Sequence, residues 1–167
     1  LGSEVLDLPP QRFKTQGFWV AIGAQELTLL LREACDLMGS LHALEHALIG
    51  ILPLFALCDR RDLGGVSHSC HPDVGRGALF VYDGYPGGVG ISLAAFERLG
   101  LVLTAVAEAL EQCPCEAGCP SCVQDSNCGD GNWPLDKRGA ALLARHLARR
   151  WDAGSRGRPE DSDTNAG

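Results

Sequence analysis

The apolar positions of this chain follow two periods. Leu29, Leu30, Leu37, Leu41, Leu44 and Leu48 recur at helical spacings, whereas Phe18–Ile22 and Ala78–Asp83 are short apolar runs of strand length. The pattern predicts a strand at Phe18–Ile22 closed by Gly23, then helix from Gln25 to about Leu57. Met38-Gly39-Ser40 reads as a break in that stretch, with Ser40 capping a second helix. Ile51–Leu57 is apolar on every side and reads as a buried continuation with Pro53 in its first turn. Residues 66–77, rich in Ser, His, Pro and Gly, read as a loop. Ala78–Asp83 is the clearest strand and runs into a glycine-dense turn, Gly84–Gly90. A helix from Ile91 to Glu111, interrupted at Gly100, follows. A last helix, Leu135–Trp151, carries a stripe of Leu142, Leu143 and Leu147. These elements predict a compact α+β fold, helix-dominated, with a few short strands. Residues 1–17 read as an incoming linker, 18–152 as one domain and 153–167 as a disordered tail.

Composition narrows the partners. With 167 residues, 46% hydrophobic, the chain can bury a core of its own. Its formal charge of −7 argues against a stand-alone nucleic-acid binder, although Glu160, Asp161 and Asp163 of the tail supply part of that charge. The longest apolar run, Ala47–Cys58, contains Gly50 and Pro53 and is short for a bilayer span, so no membrane association is expected. No secretory leader pattern is visible, which predicts a cytoplasmic location. A start at Leu1 suggests a piece cut from a longer polypeptide.

The eight cysteines add candidate chemistry. Cys35 and Cys58 sit among apolar neighbours and read as buried free thiols. Five others crowd into Cys113-Pro-Cys115-Glu-Ala-Gly-Cys119-Pro-Ser-Cys122 and Cys128. In a reducing compartment such a cluster favours metal over disulfides. Zinc takes four ligands in a tetrahedron, and Cys119-x-x-Cys122 is a knuckle that aims two thiolates at one ion. Gly118 lets the backbone turn ahead of it. The remaining pair could be Cys113 with Cys115, or Cys115 with Cys128; the spacing leaves both open. Four thiolates close the shell, so this zinc would be structural rather than catalytic.

The cysteine segment, continued through Asn132 and Pro134-Leu-Asp-Lys137, resembles the zinc-binding domain at the C-terminus of MrfA-type DEAD/DEAH-box helicases. So do Ser40-Leu-His-Ala-Leu-Glu-His46, Cys58-Asp-Arg-Arg-Asp-Leu-Gly-Gly65 and Tyr82-Asp-Gly-Tyr-Pro-Gly-Gly-Val-Gly90. The resemblance spans roughly residues 18–150. It implies an accessory domain beside the motor domains of an ATP-dependent DNA helicase in DNA repair, with single-stranded DNA as a candidate partner. Related domains in bacterial defence systems make a protein-interaction module the alternative. No Gly-x-x-x-x-Gly-Lys-Ser/Thr loop or Asp-Glu-x-His box is present, so ATP would act only through motor domains outside this chain.

Several residues carry competing readings. Backbone amides of Gly87 and Gly88, at a predicted helix N-terminus, are candidate DNA-phosphate contacts, against a plain strand-to-helix turn. Arg60, Arg61, Lys137 and Arg138 are candidate nucleic-acid or interdomain contacts, against internal ion pairs. Trp133 reads as a core or lid residue rather than a base-stacking platform. His42-Ala-Leu-Glu45-His46 matches the His-x-x-Glu-His pattern of zinc hydrolases, with both histidines on one helix face. The competing reading packs both histidines in a helical hairpin and pairs Glu45 with Arg60 or Arg61. His68 and His71, flanking Cys70, form a thinner second metal candidate, against a polar surface loop.

Overall fold

The computed structural model describes residues 12–156, with side chains described through Asp152. Three strands, β1 (Gly17–Ala21), β2 (Leu63–His71) and β3 (Arg76–Asp83), form one antiparallel sheet in the order β1-β3-β2. Among the described residues five α-helices accompany it: α1 (Ala24–Arg32), α2 (Leu37–Ile51), α3 (Ile91–Glu97), α4 (Leu99–Gln112) and α5 (Lys137–Arg156). The expected α+β class holds.

Helix α2 is the centre. Every residue from Gly39 to Ile49 is buried, because α5, β2, β3 and α4 surround it. Leu41, Leu44 and Leu48 meet Leu79 and Val81 of β3, Val102 and Val106 of α4 and Leu143 of α5 in one core. Together with the following 3₁₀ turn, α2 gives an 18-residue stretch, Leu37–Leu54, long and apolar enough to cross a membrane by composition. Two thirds of it is buried inside the fold, and His42, Glu45 and His46 lie within it, so it is a core helix here.

Several boundaries differ from the sequence pattern, each for a local reason. The break between α1 and α2 falls at Glu33–Asp36, not at Met38–Ser40. Asp36 is the cap, accepting from Gly39 N at 2.5 Å, while the Ser40 hydroxyl bonds back to the Asp36 carbonyl. Ile51–Leu57 is not a buried continuation. Pro53 has no amide to extend the helix, the chain tightens into a 3₁₀ turn at Leu52–Leu54, and Leu54 and Leu57 emerge into solvent. The Ser- and His-rich stretch after Val66 is largely strand, paired from Leu63↔Asp83 to His68↔Ala78 before a bulge. Its buried positions after Leu63 include Ser67, and Gly65 meets Glu45 of α2, so its sequence lacks the usual apolar alternation. Arg98, rather than Gly100, separates α3 from α4. Gly100 instead admits Trp151 of α5: a Cβ there would lie 2.9 Å from Trp151 Cδ1.

The expected linker and tail are only partly described, and residues 1–11 and 157–167 lie outside the described residues. Within reach, Thr15 donates to the Asp83 and Tyr85 carbonyls at 2.8 and 2.9 Å, and Gln16 O accepts from Asp83 N. These residues are therefore tied to the sheet end rather than running free. Helix α5 continues through Arg156, into the stretch expected to be tail.

The starts of α2 and α5 interlock. Asp36 N donates to Asp136 Oδ2 at 2.9 Å, Asp136 N to Gly39 O at 3.0 Å, and Asp136 caps α5 through Gly139 N. A Cβ on Gly139 would fall 1.9 Å from Ser40 Oγ and 2.9 Å from Ser40 Cβ. Gly139→Ala should thus destabilise, since the clash at about 1–3 kcal/mol outweighs a helix-propensity gain of at most about 1 kcal/mol. A thermal midpoint several degrees below wild type is the expected reading, and an unchanged or raised midpoint would refute the close approach.

Candidate metal centre

Cys113 ends α4, its amide bonded to Ala109 O at 3.1 Å before the chain turns extended. The loop from there to α5 is folded around a knuckle. Amides of Cys122, Val123 and Gln124 converge on Cys119 O at 3.0–3.1 Å, and Cys119 N donates to Cys122 Sγ at 3.2 Å. Gly118 takes φ +116°, and a Cβ there would press within 2.4 Å of Val123 Cγ2. The expected need for glycine ahead of the knuckle is met in this way. Val123 is fully buried and pins the loop to the core.

Four thiols converge. Sulfur separations are 3.6 Å for Cys113–Cys115 and Cys113–Cys119, 3.4 Å for Cys115–Cys122 and 3.7 Å for Cys119–Cys122. A tetrahedral zinc with four thiolates at about 2.3 Å spaces its sulfurs about 3.8 Å apart. A disulfide would bring them to about 2.05 Å. The donor set therefore fits a tetrahedral metal ion and no disulfide. Of the two pairings left open by spacing, the geometry selects Cys113 with Cys115. Cys128 stands apart, its Sγ 3.3 Å from His42 Nε2.

The electrostatics suit the cluster to a cation. Desolvation pushes the Cys115 thiol up, but hydrogen bonds from Cys122, Cys113, Cys119 and Lys137 outweigh it and bring it down to about 6. Desolvation, with the neighbouring thiols, pushes Cys122 up to about 12. A divalent ion takes its cysteine ligands as thiolates, so binding there releases protons. Cys35 and Cys58 stay outside, packed against the core, where burial pushes both thiols up, as expected of inert cysteines.

The candidate contact residues fall into different places. Lys137 is buried, and its Nζ donates to Cys113 O at 2.7 Å and Cys115 O at 2.5 Å. It braces the metal loop and is not presented to a partner. Arg138 is exposed and ion-paired to Glu33, and Arg60 pairs with Asp125 at 3.1 Å. Arg61 lies exposed on the rim of a cleft of about 370 Å³ between α2, β2 and the loop. Glu45 does not pair with Arg60 or Arg61. It packs on Gly65, where a Cβ would meet its Oε1 at 2.7 Å, and burial pushes its carboxyl up despite hydrogen bonding with Ser67. His42 Nδ1 meets Pro134 O at 2.9 Å and His46 Nδ1 meets Val123 O at 2.7 Å, so α2 docks the cysteine loop through two rings. Trp133 is exposed, not a core residue. His68 and His71 contact one another edge-on beside exposed Cys70, but the three do not converge as a metal set.

The glycine turn is not a phosphate cradle. Gly87 N donates to Lys14 O and Gly88 N to Tyr85 O. The amides of Val89, Gly90, Ile91 and Ser92, at the start of α3, all donate to the Asp83 carboxylate, at 2.6, 2.7, 3.3 and 2.7 Å. The anion position of this helix start is occupied by the protein's own side chain, so the expected DNA contact by Gly87 and Gly88 amides has no donors left. An acid placed just before a glycine turn and helix start was the available sequence signal for this role. For Lys137 there was none.

The profile of the MrfA Zn-binding domain family matches residues 44–123. An uncharacterized protein of Methanocaldococcus jannaschii, MJ1572.1, is 36% identical over 112 residues, covering 64% of this chain and 98% of that protein. The chain belongs to the MrfA zinc-binding domain family. The uncharacterized ATP-dependent helicase YprA of Bacillus subtilis is 32% identical over 130 residues, 74% of this chain and 16% of that protein. A crystal structure of the DUF1998 helicase MrfA bound to DNA superposes with a TM-score of 0.60 and 26% identity, over 90% of this chain and 19% of the helicase chain. The chain thus spans less than a fifth of either helicase. The MrfA zinc-binding domain match ends at Val123, so it takes in the four clustered cysteines and leaves Cys128 outside.

Two outcomes follow from these contacts. Lys137→Met should strip two loop carbonyls of their donor and cost about 1–3 kcal/mol; a thermal melt equal to wild type would contradict the bracing role. For Asp83, burial alone would raise the carboxyl, but hydrogen bonds from Ser92, Val89 and Gly90 hold it below the usual range. Its folded value being depressed, its stabilisation is full above the ordinary carboxylate value, about pH 4, and is lost as pH falls through the lower folded value. Asp83→Ala should cost on the order of 2–4 kcal/mol at neutral pH. The deficit relative to wild type should shrink under acid, as read by denaturant melts at pH 7 and pH 3.

Proposed function

We propose that this chain is the zinc-braced accessory domain of an ATP-dependent DNA helicase acting in DNA repair, in the reducing cytoplasm. In this reading Cys113, Cys115, Cys119 and Cys122 hold one structural Zn²⁺, and the domain steadies the motor domains of the same parent chain, which supply ATP hydrolysis. The observation that carries it is the four-thiol tetrahedron set between α4 and α5, in a fold shared with part of a helicase bound to DNA. A closed thiolate shell organises a fold and offers no open position for hydrolysis.

The surface favours an interdomain role over an extensive DNA face. The chain is acidic overall, three of the four candidate cations are engaged within the domain, and the helix-start amides are filled by Asp83. Arg61 is the remaining candidate for single-stranded DNA. By contrast, Trp19, Leu93 and Phe96 line an exposed apolar groove between β1 and α3, which suits packing against neighbouring domains of a much longer chain.

The test uses the intact parent protein. Cys119→Ser with Cys122→Ser should release a zinc equivalent, lower the thermal midpoint and reduce DNA unwinding. Arg61→Glu should keep zinc and stability but weaken single-stranded DNA binding severalfold at low salt. Unwinding at the wild-type rate after loss of that zinc would refute the bracing role, and unchanged affinity in Arg61→Glu would remove the DNA contact.

A further inference from the structure

Outside the four-thiol cluster, one further set of metal-ligating side chains converges among the described residues. A ring nitrogen of His42, a ring nitrogen of His46 and Cys128 Sγ all lie within 4.8 Å of one another. We propose that His42, His46 and Cys128 form a second metal site, built for a borderline-soft divalent ion such as Zn²⁺ and separate from the four-cysteine centre.

The contacts around each ligand are those of a prepared site. In both rings Nδ1 faces a backbone carbonyl, Pro134 O at 2.9 Å and Val123 O at 2.7 Å. A carbonyl only accepts, so each Nδ1 carries a proton, and Nε2 is the nitrogen of each ring left to face a metal. Histidines that bind metals are oriented in this manner by a second hydrogen bond. Cys128 Sγ receives Asn132 N–H at 3.3 Å, as Cys122 Sγ receives Cys119 N–H at 3.2 Å within the four-thiol cluster. Such a donor stabilises a thiolate.

The distances agree with an ion. Ligands at about 2.0–2.3 Å from zinc stand about 3.3–3.8 Å apart, and His42 Nε2 lies 3.3 Å from Cys128 Sγ. The three ligands border the cleft that Glu45, Asp125 and Asp130 also line. Arg60 is paired with Asp125 there and Arg61 stands on the rim, and the open side leaves room for water as a fourth ligand. His42 and His46 stand one helical turn apart, the spacing noted in the sequence; the ligand that the sequence did not reveal was Cys128, 82 residues beyond His46 and delivered by the metal loop.

Zinc content of the intact protein, purified in zinc and freed of loosely held metal, tests the site. Cys128→Ser and His46→Gln should each hold one equivalent less than wild type while keeping the cobalt-substituted spectrum of the four-thiolate centre. The equivalent lost with Cys119 and Cys122 is a different one, so the two sites fail separately. Should either variant misfold, X-ray absorption on the wild type decides. The two-site protein should show mixed shells totalling five sulfur and two histidine nitrogen ligands. Equal zinc content in folded variants and wild type, or a zinc shell of sulfur alone, would overturn the proposal.

Discussion

The structure depends on cross-links that hold a loop with almost no core of its own. Between Cys113 and Asp136, Val123 is the only buried residue. Fixing the backbone of each residue costs about 1–2 kcal/mol, whereas burying one valine returns about 1.5–3 kcal/mol. Apolar burial cannot order such a segment. What orders it is polar and directional: four thiols drawn to one point, Lys137 on two carbonyls, and two imidazoles on two more. A metal ion adds its binding free energy directly to that of folding. The loop in turn sets where α5 begins, and α5 packs against both α4 and α2.

Helix α2 meets the complementary difficulty. It is buried all round, so its polar residues must find partners inside the protein. His42 and His46 find them in the metal loop, and Glu45 lies against Gly65 of β2 beside the cleft. The same three side chains that resemble a hydrolase motif are thus the seams joining the central helix to the loop and the sheet. Their burial explains why a helix of membrane-like apolarity belongs to a core, and why the sheet lays Gly65 against it, with Gly64 turned to Tyr82 of β3. At Gly64 a Cβ would stand 2.5 Å from the Tyr82 ring, and at Gly65 2.7 Å from Glu45.

What was legible in the sequence was whatever local spacing encodes. The strand Ala78–Asp83, the knuckle Cys119–Cys122 and the helical leucines of α2 each carry their period or ligand geometry within a few residues. Strand β2 escaped because it meets α2 through Gly65, against Glu45, and buries Ser67, which leaves little apolar alternation to read. The choice between Cys113 and Cys128 escaped because it depends on which side of the loop faces α2, a long-range fact. Lys137 escaped because a buried lysine is recognised by its acceptors, here carbonyls 22 and 24 residues earlier in the chain.

The filled helix start at Asp83 bears most directly on function. Glycine-rich turns ahead of helices attract phosphates because several amides point at one spot. Here four amides point at one carboxylate that is itself buried, so a phosphate would have to displace a charge of its own sign from a site already satisfied. The turn therefore joins β3 to α3 and carries no ligand. With that cradle closed and Lys137 committed beneath the thiols, the chemistry left to the domain is concentrated where α2 meets the cysteine loop. The helix, the sheet and the loop share that junction.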